Sequence, residues 1–129
     1  MTRRGWMAAL ASMAAAPAVA AEPGALAVVN RRMQLYNEGR LEPFLALYAP
    51  DAAVYDFPDK PLGRGREHLK RVFEPVFAAR NARVEIKSQI EMGAVVINDE
   101  LVRYGDKPQR YVSIYEVRDG LIVAVRFVR

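Results

Sequence analysis

From Leu26 onward, apolar residues recur at Leu26, Val29, Met33 and Tyr36, three and four positions apart, which places them on one face of a helix. Gly39 supplies the left-handed conformation that ends such a helix. A second, short helix is predicted with Leu41, Phe44, Leu45 and Tyr48 on one stripe and Pro43 in its first turn, stopped by Pro50 and Asp51. Residues 52–57 are β-branched and aromatic around Asp56 and read as a strand, and Pro58, Asp59, Lys60 and Pro61 as a turn. Leu69, Val72, Phe73, Val76 and Phe77 then repeat at helical spacing, predicting a third helix from Arg66 to Arg80 that Pro75 should kink.

The last third changes period. Val84, Ile86, Ser88, Ile90 and Met92 alternate with Glu85, Lys87, Gln89 and Glu91, the pattern of a half-buried strand. Further strands are expected over 94–104, 109–118 and 121–128, the last two joined by an Asp119-Gly120 hairpin turn. With Val117 opposite Ile122, counting in twos puts Val112, Ile114 and Glu116 on the inner face with Val123, Val125 and Phe127. Tyr111, Ser113, Tyr115, Ala124 and Arg126 then face outward, toward water or a second subunit. On the preceding strand, Val95, Ile97, Asp99 and Leu101 form the more apolar face. Helices followed by one long sheet with a single apolar face predict an α+β domain whose sheet curls around three helices and leaves a closed-ended cavity.

Composition narrows the function classes. The 129 residues, 52% hydrophobic and 26% charged, suit one domain, assigned to 21–129. Residues 1–20 read as a cleavable export signal: Arg3 and Arg4, an apolar run from Trp6 to Ala16, then Pro17 and the small triplet Ala18, Val19, Ala20. The run is shorter than the ~20 residues a membrane span needs. A periplasmic or secreted protein is expected, with no membrane association once the signal is cut; the pathway is the ordinary secretory one or the twin-arginine one that Thr2 to Met7 resembles. Removing Arg3 and Arg4 from 19 basic residues leaves 17 against 15 acidic ones, too even a balance to imply nucleic acid. Cysteine is absent, which excludes disulfides and thiolate chemistry.

The run Tyr36 to Leu41, then Leu45 to Asp56, Gly63 to Glu67 and Tyr115 to Ile122 resembles the SnoaL-like group of the nuclear transport factor 2-like superfamily, over essentially all of 25–129. That superfamily includes ketosteroid isomerase, polyketide cyclases and limonene epoxide hydrolase. The resemblance implies a cone-shaped, cystatin-like roll: three N-terminal helices packed in a curved, mainly antiparallel sheet. It also implies a small-molecule isomerase or hydrolase using a carboxylate base, or else a non-catalytic ligand-binding or dimerisation module. Asp56 falls where ketosteroid isomerase keeps its proton-shuttling aspartate. The first-helix tyrosine of that family is replaced by Arg32, and its oxyanion acid falls at Val112 or Ser113, so the isomerase's oxyanion hole is missing. The Arg-x-Asp element of the epoxide hydrolase is absent too.

Candidate chemistry therefore rests on carboxylates. Asp56, if it points into an apolar cavity, is placed for general base work; the alternative is a strand-end hydrogen-bond acceptor. Asp99 lies among Val95, Ile97 and Leu101, and a second carboxylate in the cavity would allow acid and base roles to divide. A bulge near Asn98 would substitute Glu100. Tyr36, Tyr48, Phe57, Phe73, Ile97, Val112, Ile114, Val125 and Phe127 are the expected pocket residues, for a small apolar molecule. His68 reads as a solvated helix residue, Arg64 and Arg66 as solvated arginines at a capped turn. The acids show no ligand spacing, so neither a metal nor another cofactor is expected. A homodimer through Tyr111, Ser113, Tyr115 and Arg126 is the expected partner arrangement.

Overall fold

Among the described residues the first element is α1, Ala25–Glu38, closed by Gly39 at φ 69°, whose N–H donates to Tyr36 O. It buries Val28, Val29, Met33, Leu35 and Tyr36, the face the apolar spacing marks out, together with Arg32. A computed structural model describes residues 23–129; the export signal expected over 1–20 lies outside the described residues. After α1 come α2 (Leu41–Ala46), β1 (Tyr48–Asp56), β2 (Lys60–Arg64), α3 (Arg66–Ala79), β3 (Ala82–Met92), β4 (Val95–Tyr104), β5 (Lys107–Arg118) and β6 (Leu121–Val128). Helix α3 runs on through Pro75.

Among the described residues six strands form one sheet in the order β2-β1-β6-β5-β4-β3. Every neighbouring pair is antiparallel except β1 and β6. The helices pack on one face of this sheet around Phe44, Tyr48, Leu69, Tyr115 and Ile122, each at most 1% exposed. Asn37 fastens α1 to the sheet: its side chain accepts from Val84 N–H at 2.7 Å and donates to Val84 O at 3.0 Å. Arg66 ties the start of α3 to β1 by donating from Nε and NH2 to Tyr48 O, at 2.9 and 2.6 Å. The α+β roll expected from the pattern and the resemblance is the fold found.

Two local expectations are corrected. Tyr48 opens β1 instead of ending α2: it pairs with Ile122 of β6 while its ring is fully buried in the core, and α2 stops at Ala46. Lys60 and Pro61, expected in a turn, instead open a strand, β2, that runs to Arg64. As an edge strand, β2 tolerates Pro61 and Gly63, which hide it from propensity reading.

The larger correction concerns the sheet faces. Glu116 pairs with Ala124 but Val117 pairs with Ile122, so β6 carries one extra residue at Val123. Ile122 and Val125 can therefore both face the helices, and the inner residues of β5 are Tyr111, Ser113, Tyr115 and Val117. Ser113 and Tyr115, expected at an outer dimer contact, are both 0% exposed. Val112 and Ile114 move to the outer face. Because β4 pairs in step with β5, with Asn98 opposite Ser113 and Glu100 opposite Tyr111, its inner set is Val96, Asn98, Glu100 and Val102. Ile97 and Asp99 then lie outside. A slip of one residue inverts every side chain of a strand, and a single bulge supplied it here.

Candidate functional site

Between α1, α3 and the inner sheet face lies a cavity of about 290 Å³. Helix α3 contributes Leu69, Phe73 and Val76, and the sheet contributes Val54, Val84, Val102 and Phe127. Polar groups enter this apolar lining at two levels, the buried floor and the mouth.

At the floor, Arg32 is 4% exposed. It sits on the buried stripe of α1 because Val28 and Tyr36, one turn either side, share its face. Its Cζ lies 4.9, 5.6 and 5.2 Å from the ring centroids of Phe44, Phe73 and Tyr115. Nε donates to the Tyr48 phenol oxygen at 2.6 Å, and NH1 to Met33 Sδ at 3.9 Å. Among the described residues nothing accepts from NH2. Burial pulls its pKa down, but the Tyr115 and Tyr48 phenols and the Glu100 carboxylate outweigh that and hold it above the ordinary arginine value. Arg32 is thus a fixed cation.

Glu100, 3% exposed, is the carboxylate on the cavity wall. Its Oε2 accepts from Asn98 Nδ2 at 3.1 Å and Tyr115 O–H at 2.9 Å, and Oε1 accepts from Ser113 O–H at 2.9 Å. Asn98, fully buried, is itself held by Gln89 Nε2 at 2.8 Å, so the carboxylate is fixed from β3, β4 and β5 together.

At the mouth, Arg129 grips Asp56 with both nitrogens, Nε to Oδ1 at 2.9 Å and NH2 to Oδ2 at 3.2 Å. Arg129 lines the cavity; Asp56 stands behind it. The hydroxyls of Tyr36, Tyr104 and Tyr111 gather beside it. Burial raises the pKa of each, that of Tyr111 to about 12. In the folded protein Tyr111 therefore keeps its proton above the ordinary value of 10.0 at which an exposed phenol ionises. The stabilising contribution is complete below that value and is lost as pH rises toward the folded-state value. Alkaline difference spectroscopy at the phenolate band should show phenols ionising late and together with unfolding; ordinary titration of all six tyrosines near their usual pKa, with the fold intact, would contradict this.

Of the residues expected at the site, Tyr36, Phe73, Phe127 and Glu100 line the cavity. Tyr48 and Val125 are core residues, at 0% and 1% exposure, with Tyr48 reaching the site through Arg32. Phe57 is 53% exposed beyond the end of β1, and Ile97, Val112 and Ile114 face outward, so these four are removed from the pocket. Asp99 is corrected likewise: Arg110 binds it bidentately at 2.8 and 3.0 Å on the outer face and holds its carboxyl below the usual range. His68, read as solvated, instead lines the mouth against Gly63, where its imidazole occupies the space a side chain at 63 would need. Arg32 had a legible signal, a charged residue interrupting an otherwise apolar stripe. No group of three or more potential metal ligands occurs among the described residues.

A family model described as a SnoaL-like domain matches residues 29–125. No curated protein matches. Among solved structures, an uncharacterized cystatin fold protein from Novosphingobium aromaticivorans superposes with a TM-score of 0.76 at 21% identity, covering 83% of this chain and 99% of that one. A computationally designed 17-OHP binder gives 0.71 at 19%, covering 81% and 92%. The epoxide hydrolase/cyclase-like enzyme SalBIII, of pyran ring formation in the polyether salinomycin, gives 0.69 at 16%, covering 78% and 86%. At these identities the likeness is one of fold.

Proposed function

The chain belongs to the SnoaL-like domain family, and from that premise we propose that its cavity binds a small, mostly apolar molecule with one polar end. The carrying observation is the cavity itself: about 290 Å³, walled by aromatic and aliphatic side chains, with a buried cation and a buried carboxylate at its floor. That size stands at the lower end of small-molecule sites, and an apolar wall with a few fixed polar groups is their usual construction. A likeness of fold to a computationally designed 17-OHP binder supports the reading.

Blocking the cavity tests it. Val72 lines the mouth from α3 and is 46% exposed, so Val72→Trp should fold normally while filling the entrance. Binding of an apolar fluorescent probe is expected to weaken by about tenfold or more. Equal binding by both proteins would remove the cavity from consideration.

A second reading is proton transfer on the bound molecule, favoured by the position of Glu100. A carboxylate offers about four acceptor sites, and Glu100 spends three, which leaves one on Oε1 for a ligand proton. Arg32 would stabilise negative charge developing on the ligand. Asp56, engaged by Arg129 at the rim, then serves to position that arginine, and Asp99 has no part. Glu100→Gln should retain ligand and lose turnover; turnover that survives would assign Glu100 to binding alone.

The homodimer reading moves with the register. On the outer face Ile90, Ile97 and Ile114 align across three strands, continuing into Arg126, whose guanidinium stacks 4.6 Å from the Tyr55 ring centroid. Ile90 is 65% exposed, and charges of both signs, Asp99 and Glu116 with Arg110 and Arg118, flank the row, so a second copy can meet it in complementary fashion. Sedimentation should give a dimeric mass for the native chain and a monomeric one for Ile97→Glu; a monomeric native chain ends the proposal. Export rests on residues 1–20, and the N-terminal sequence of protein recovered from the periplasm or the medium would test it.

A further inference from the structure

We propose that the ligand is a small apolar acid whose carboxylate seats on the unused edge of Arg32, an inference that rests on the cavity being a binding site. The two buried charges at the floor are not equally satisfied. Glu100 has three neutral donors, Asn98, Ser113 and Tyr115, each within hydrogen-bond distance. Arg32, as deeply buried, has one phenol oxygen, one thioether sulfur and the faces of three aromatic rings. No carboxylate among the described residues forms an ion pair with it, and NH2 has no acceptor.

Buried charges are as a rule paired, because desolvation costs far more than a cation–π contact returns. An arginine whose NH2 has no acceptor and whose NH1 meets only a thioether sulfur presents a planar edge that can donate to both oxygens of one carboxylate. A ketone would use one of those donors and leave the charge unpaired, and a hydroxyl, even when it donates to the spare Glu100 Oε1 site, would leave it unpaired as well. The mouth competes weakly for the acid: Arg129 is already matched to Asp56, and the Tyr104 and Tyr111 phenols keep their protons. The carboxylate therefore goes inward and the apolar body lies along Phe73, Val76 and Phe127.

The native full chain decides this with a ligand series: decanoate and naphthoate, each beside its methyl ketone and its primary alcohol, measured by isothermal calorimetry. The acids are expected to bind about tenfold or more tighter than the neutral analogues, the margin of a charge-assisted contact. Arg32→Gln should erase that preference, bringing the acids to the affinity of their neutral analogues, and Arg32→Lys, which keeps the charge without the fork, should narrow the preference if the glutamine variant does not fold. Equal affinity for acids, ketones and alcohols in the native chain would overturn the acid inference and leave the cavity reading standing. Absence of binding by all six probes would overturn both.

Discussion

Glu100→Leu should destabilise the protein by about 3 kcal/mol or more, read as a shift of the urea midpoint at unchanged slope. The substitution removes the shared acceptor of Asn98, Ser113 and Tyr115, all fully buried, and strands their donors in a region with no protein replacement. It also takes away the carboxylate whose field offsets part of the cost of burying Arg32. Each unsatisfied buried group costs about 1–3 kcal/mol, with some relief where a hydroxyl rotates toward the cavity. Asp99→Asn, one residue away, should leave the midpoint where it is, because Asp99 and Arg110 meet on the outer face. The pair of variants tests the strand register directly: with Asp99 inside and Glu100 outside, the order of the two effects would reverse.

Phe44→Ala is expected to cost about 3–5 kcal/mol, a large part of the 5–15 kcal/mol that holds a domain of this size together. Phe44 is 0% exposed, and its ring lies 4.9 Å from Phe73, 5.1 Å from Phe77, 5.6 Å from Tyr48 and 6.3 Å from Tyr36, centroid to centroid. It is also the nearest ring under Arg32, at 4.9 Å. Truncation leaves a hole at the junction of α1, α2 and α3 and removes one wall of the guanidinium site, so ligand affinity should fall along with the melting temperature. A melting temperature within a few degrees of the native value would mean that neighbouring rings collapse into the space, and that the aromatic cluster is looser than its geometry indicates.

The helices and the long hairpin were legible because their signals are local. Val29, Met33 and Tyr36 mark one face of α1 whatever surrounds it, and Gly39 ends that helix through its own backbone freedom. Asp119 and Gly120, at φ 54° and 75°, form the turn their identities predict. The resemblance carried by Tyr36 to Asp56, Gly63 to Glu67 and Tyr115 to Ile122 reached the roll itself. Glu100 was named as the acid a bulge would bring inward, and the bulge lies at Val123, two strands away from it.

Which face of β4 and β5 meets the helices could not be read, because alternation gives two sets and a bulge on a neighbouring strand chooses between them. Val95, Ile97 and Leu101 look more apolar than Val96, Asn98, Glu100 and Val102, yet the second set lines the interior, its polar members satisfied by one another and by Ser113, Tyr115 and Gln89. Hydrophobicity along a strand counts residues singly, whereas burial is decided by partners that arrive from other strands. The same holds for Arg32, which the sequence marked as a charge within an apolar stripe. Only the folded chain, with three rings and a phenol around it and no acid against it, makes that arginine the centre of the cavity.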